Sequence, residues 1–345
     1  MVELPIAAPM LATSESRQLS RKGFARRLLQ RPVGALSVGY LVLISLACAC
    51  APLLSPYDPL KQDLGAALSG PSAQYVLGAD PLGRDVLSRL LYGGRVSLVG
   101  VLQAVVVLAV AGVSFGLIAG YFGRRTDGII SAIVDIVLAI PSIIVLLAVL
   151  AMFPGMSAAM IAFGLLFSAR MVRVVRGATM AVRNELYVEA AQISGVGQVS
   201  IVLRHVLPRV AGPAIVQMSL FAGVALAVQT GIAFVGLGVI PPAPSWGGMV
   251  ADASQVITQD PWLLVPSGGI IALTILAFGL LGDSLRDTTV ESWSSGQRRA
   301  RRAQPAGPVA AEPLQDSAAA RTVVLSVRGL TVAFNAVSYT HLTLP

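Results

Sequence analysis

Read as apolar and polar positions, the sequence alternates long apolar runs with polar interruptions, and the runs approach the ~20 residues that a helix needs to cross a hydrocarbon core. Six spans are predicted, at about 33–54, 99–121, 129–153, 158–175, 211–231 and 266–281. The first is long and lacks a small-residue cleavage site, which predicts a retained anchor rather than a signal peptide. Three interruptions are too long to be simple turns. Residues 55–97 are polar and turn-rich, with Asp85 to Leu98 spaced for an amphipathic helix on the bilayer surface. Residues 176–209 are basic and read as helix, turn and helix restart: Glu189, Ala190 and Ala191 suit a helix, and Gly195 and Gly197 suit the bend. The stretch from Phe234 to Gly268 carries Pro241, Pro242, Pro244, Trp246, Gly247 and Gly248, which predict a re-entrant excursion instead of another span.

Two spans hold more than apolar residues. Gly112, Gly116 and Gly120 recur at every fourth position of the second, a stripe that lets another helix approach closely, within the bundle or across a homodimer seam. Asp135 and Pro141 lie in the third. A carboxylate there is costly unless paired or hydrated. It sits one to two turns inside the end of its helix, and Arg170 about as deep in the antiparallel fourth span, so a structural ion pair between Asp135 and Arg170 is predicted. A proton or ion site at Asp135 is the other reading.

Composition confirms the class and sets the topology. Of 345 residues, 55% are apolar and 12% charged, outside the range of soluble globular proteins. The net charge of +8 does not point to nucleic acid, because the lysines are only Lys22 and Lys61 and the arginines gather in short stretches between apolar runs. Between Val210 and Leu285 there is no Lys or Arg, while residues 122–127, 176–209 and the tail beyond 283 are arginine-rich. That asymmetry predicts both termini and the Glu189 loop on the cytoplasmic side. Cys48 and Cys50 fall inside the first span and read as packing residues, without disulfide or zinc spacing. No Gly-x-x-x-x-Gly-Lys-Ser/Thr run surrounds either lysine, so the chain has no P-loop with which to hydrolyse ATP. His205 and His341 stand too far apart in sequence for a recognisable zinc or triad constellation, and His205 reads as a loop-packing residue beside Pro208.

The interruption at 176–209 carries a spaced pattern: Glu189-Ala190-Ala191, three residues, Gly195, nine residues, His205, one residue, Leu207-Pro208. It resembles the EAA loop of binding-protein-dependent ABC importers, and the run Arg204 to Pro208 is similar to the peptide-transporter branch. Tyr75 to Leu98, YVLGADPLGRDVLSRLLYGGRVSL, resembles a second signature of dipeptide and oligopeptide permeases, with Tyr75 where those have His and Ala79 where they have Thr. GLGV followed by Pro-Pro and PSWG, and then LGDSLRD, is similar again. The resemblance covers about residues 36–290 and implies an all-α polytopic membrane protein with the six-span type I importer permease fold, in a bacterial inner membrane. It implies that Glu189, Ala190, Ala191, Gly195, His205, Leu207 and Pro208 form the loop that couples to an ATPase. It also implies a related second permease, two ABC ATPase domains that carry the ATP and magnesium, an extracytoplasmic solute-binding protein, surrounding lipid, and no cofactor in this chain. Asp80, Gly83, Arg84, Asp85, Arg95 and Trp246 then belong to an external element, either a gate or a passive cover. The rival class is an ion-coupled secondary transporter using Asp135; a non-transporting membrane scaffold is a third.

The ends read differently. Residues 1–32 form a basic cytoplasmic tail, 33–290 the permease domain, and 291–321 a disordered linker rich in Arg, Ala and Pro. Val323 to Asn335 is strand-like and resembles the opening strand of an ABC ATPase, which makes 322–336 the expected start of a fused ATPase domain. Val337 to Pro345 resembles a translated sequencing adapter, with a natural edge strand as the alternative.

Overall fold

The computed structural model describes residues 28–302, Arg26, and Val332, Ala333, Ser338 and Tyr339, with side chains described as far as Thr289. Expectations for the first 25 residues and most of the tail lie outside the described residues. In the tail unit, Val332–Ala333 pairs antiparallel with Ser338–Tyr339.

The main unit is a helical bundle. Helix α1, Pro32–Ala49, begins with proline in its first turn, where the missing N–H costs nothing. It is followed by the single turn α2, Ala51–Leu54. Helix α3 spans Val86–Phe122, α4 Arg124–Ala139, α5 Ser142–Met152 and α6 Met156–Arg183. Two short helices, α7 at Leu186–Ile193 and α8 at Gln198–Ile201, lead through a π-helical turn at Val202–Val206 into α9, Leu207–Phe234. Helix α10, Trp246–Gln255, and α11, Leu264–Arg302, complete the unit. Among the described residues, five helices are long and apolar enough to cross a membrane, or up to six spans when α4 and α5 are taken together. The six-span reading therefore holds in number, with altered boundaries.

Those alterations have physical causes. Asp85 to Leu98 is not a separate surface helix but the first turns of α3, and its Ser88, Arg89, Leu90 and Leu91 are buried. Gly93 and Gly94 do not break it, because each marks a close approach: a Cβ at Gly94 would lie 2.3 Å from Cys48 Sγ and 2.8 Å from the Trp246 ring. Cys48 thus packs, as expected of it. The third span is broken: Pro141 offers no N–H and cannot continue the α4 ladder, so α4 and α5 meet at 82°. The fourth runs past its predicted end to Arg183, and α11 continues helical to Arg302 where the linker was expected to start at 291.

The core is organised by the glycine stripe. A Cβ at Gly112 would lie 2.4 Å from Met171, one at Gly116 2.6 Å from Val175, and one at Gly120 2.6 Å from Thr179. Both numbers climb together by four, so α3 and α6 run parallel with their backbones close along one seam, and the stripe serves packing inside the bundle. Gly164 returns the contact, its Cβ position lying 2.4 Å from the Ala104 carbonyl oxygen.

Candidate functional site

Two polar constellations sit at opposite ends of α3. At its first turn, the carboxylate of Asp85 caps the helix by accepting from the Ser88 N–H at 2.8 Å. Just before it, Gly83 turns at φ +70° with its Cα against the Asp63 carbonyl, where a Cβ would lie 1.7 Å away, so only glycine fits. Asp80 anchors this turn: its Oδ1 accepts from the Leu82 and Arg84 N–H groups at 2.9 and 3.0 Å, and its Oδ2 from Arg84 Nε at 2.6 Å. Arg89 Nε stands 3.3 Å from the same oxygen. Both arginines then reach over to α10, with Nη2 of Arg84 and of Arg89 lying 3.4 and 3.2 Å from Asp252 Oδ2. Asp80, Arg84 and Arg89 are buried, and Asp252 keeps an edge toward solvent with its side chain 39% exposed. Burial pushes the Asp252 carboxyl above the ordinary carboxylate range; Arg89 and Arg84 pull it back and Asp80 raises it further.

Of the predicted external residues, Asp80, Arg84, Asp85 and Gly83 therefore come together, whereas Arg95 is exposed away from the cluster. Trp246 is fully buried, its Nε1 donating to the Leu90 carbonyl at 2.9 Å, and Ser245 caps α10 by accepting from the Gly248 N–H. Tyr75, at the position where the resembling proteins carry His, is buried against the Tyr57 ring at 5.4 Å, its hydroxyl donating to Asp63 at 3.4 Å. Sequence reading missed Arg89 and Asp252. The signal was present, since Asp252 lies in a stretch without Lys or Arg and must draw its cation from elsewhere in the chain.

At the other end, α7 presents Glu189 and Ala190 outward, with Ala191 half-buried and Val188 holding the inner face. Glu189 meets no cation within ion-pair distance among the described residues. Leu186 and Ile193 beside it are 81% and 88% exposed. Gly195 ends the helix at φ +74°. Gln192 Nε2 ties the loop to α3 by donating to the Tyr121 hydroxyl at 3.4 Å, and Arg183 lies over the same ring. His205 sits in the π turn with its ring 6.4 Å from that of Tyr187. Leu207 and Pro208 open α9.

The predicted Asp135–Arg170 pair is corrected. Asp135 Oδ1 accepts from Arg173 Nη2 at 2.6 Å, and Arg170 instead lies over the Phe167 ring at 4.8 Å. The reason is the length of α6. Because it runs to Arg183 and not to 175, Arg173 lies about as far from its end as Asp135 does from Arg124 at the start of α4. A second pair missed in the sequence, Asp127 with Arg176, joins the same two helices nearer that end.

With this geometry in place, comparison with known proteins is decisive. Residues 112–290 match the family described as binding-protein-dependent transport system inner membrane component. The chain belongs to that family. Residues 21–71 match the N-terminal membrane domain of oligopeptide transport permease C. The permease is 38% identical over 262 residues to a di/tripeptide transport system permease of Pseudomonas aeruginosa, covering 74% of this chain and 86% of that protein. It is 38% identical over 253 residues to a dipeptide transport system permease of Alkalihalophilus pseudofirmus, covering 72% and 83%. It is 37% identical over 267 residues to a glutathione transport system permease of Pectobacterium atrosepticum, covering 76% and 88%. Substrates as different as dipeptides and glutathione thus go with permeases about equally similar to this one.

Proposed function

We infer that this permease carries dipeptides or oligopeptides across a bacterial inner membrane, received from an extracytoplasmic binding protein and driven by ATPase domains that dock on the Glu189 loop. It works beside a second, related permease, with both its termini and the loop cytoplasmic. The observation that carries the reading is α7, a short helix whose carboxylate meets no cation among the described residues and whose Leu186 and Ile193 side chains stand open. Apolar side chains held out on a basic loop suit a groove on a partner, where small Ala190 and Ala191 allow close approach. Closure of the ATPases would displace α7 as a lever, and the seam between α3 and α6 makes the helices respond as one body.

The test is Glu189→Lys in the assembled importer. Reversing a charge at a docked contact removes on the order of 2 to 5 kcal/mol of coupling. Uptake driven by loaded binding protein and ATP is expected to vanish while the protein still inserts; normal uptake would remove the loop from this role. Uptake that survives ATP depletion but collapses with an ion gradient would favour the secondary-transporter reading.

A further inference from the structure

The seam of α3 and α6 fixes depth. Met171 lies level with Gly112, and Gly112 precedes Arg124 by about twelve residues, or roughly 18 Å of helix. Arg170 and Arg173 therefore lie within a helix long and apolar enough to cross a membrane, roughly 15 to 20 Å from its end at Arg183. Yet they are not enclosed by the described residues. Arg173 and Asp135 are 58% and 66% exposed, and Arg170 is exposed too, its guanidinium laid on Phe167 and meeting no carboxylate among the described residues. Close to Asp135, α4 stops at Ala139, and Ala139, Ile140 and Pro141 are exposed on the chain's surface. The carbonyls of the last turn of α4 lose their donors there, because the helix ends at a proline and Ile140 makes no capping bond.

Charged side chains and a broken helix end cannot face lipid tails, where each unsatisfied group costs several kcal/mol. Such groups face protein or water. We propose that Asp135, Arg170 and Arg173, beside the break at Pro141, line the aqueous path of the transporter and receive the carboxylate end of a zwitterionic solute at Arg170. The arginine is suited to this. Its planar fork takes a carboxylate bidentately, and the aromatic ring beneath presents it without neutralising it. Asp135 and Arg173 balance each other, so the strip as a whole carries one positive charge. The proposal rests on the transporter reading above and names the chemistry of its substrate contact.

The experiment uses the complete importer in proteoliposomes, with Arg170→Cys, Asp135→Cys and Val174→Cys, the last leaving every charge in place one turn from Arg170. Leu43→Cys, on the apolar exposed face of α1, is the control. Each is treated with membrane-impermeant methanethiosulfonates, one anionic and one cationic, and modification is read by mass at the substituted residue. Modification at least tenfold faster than in Leu43→Cys at the three positions is expected, with the anionic reagent at least fivefold faster than the cationic one in Val174→Cys. Rates equal to the control, or the absence of a charge preference, would overturn the proposal and assign the strip to lipid or to a closed seam with the second permease. Binding-protein-stimulated ATP hydrolysis by the unsubstituted importer separates the two readings. If it is present while the cysteines stay silent, only this inference fails; if it is absent, the transporter reading fails and takes this inference with it.

Discussion

The two ends of α3 are both rich in polar residues, and they are built on opposite terms. At its N-terminal end, Asp80, Arg84, Arg89 and Asp252 pair with one another across three segments of chain, largely buried, with Arg89 Nη1 left without a partner. At its C-terminal end, Glu189, Leu186 and Ile193 stand open, and Glu189 meets no cation among the described residues. A closed cluster of charges holds a shape, whereas an open mixture of one charge and several apolar groups awaits a partner. Mutation should therefore cost the N-terminal end of α3 stability and the C-terminal end function.

The largest effect on stability is expected from Arg89→Gln. It leaves Asp80 with one guanidinium instead of two and strips Asp252 of its nearer one, in a site from which water is largely excluded. Breaking a buried ionic network from one side typically costs about 3 to 5 kcal/mol, and the partial exposure of Asp252 places this case toward the lower figure. Loss of helical signal on heating in detergent measures it. A variant as stable as the parent would show that the Asp80 cluster is no more closed than the Glu189 loop.

A smaller effect, and one with a sign, is expected at Asp252 itself. Its pKa in the folded protein lies above the ordinary carboxylate value, chiefly through burial, so the folded form binds the proton before the unfolded form does. Between the two values the folded state holds more protons, and stability rises as pH falls. Asp252→Asn has no such proton to take up. The melting temperature of the parent should gain on that of Asp252→Asn as pH is lowered through the raised value and should fall back as pH rises. Parallel pH profiles would mean that the carboxylate is as well solvated as an exposed one.

This contrast was half legible in the sequence. The glycine stripe and the helix around Glu189 are local patterns of period or spacing, and each is found where it was expected, while the six spans are reached only with α4 and α5 taken as one and with other boundaries. Asp80, Gly83, Arg84 and Asp85 were marked together because they share one turn. Arg89 and Asp252 were not, because their meeting depends on how α10 folds back over α3, and nothing local records that return. Asp135 shows the same limit from another side. Its need for a cation was legible from burial cost alone, but the choice of Arg173 over Arg170 hung on where α6 ends, and helix ends are set by capping and tertiary contact more than by apolar content.

The smallest effect on stability, and the one that divides the two ends most sharply, is expected from Ile193→Ser. Its side chain is 88% exposed and contributes little to the core, so the variant should melt within about 0.5 kcal/mol of the parent. If the open end exists to meet an ATPase, the same change removes an apolar anchor from that contact. Fully burying such a side chain is worth about 1.5 to 3 kcal/mol, which corresponds to roughly a ten- to hundredfold weaker association. Co-purification of the ATPase and stimulated ATP hydrolysis should both fall while the melting curve stays put. Were hydrolysis to remain at the parent level, the exposed isoleucine would be ordinary surface, and the lever would have to act through Glu189 and the alanines beside it alone.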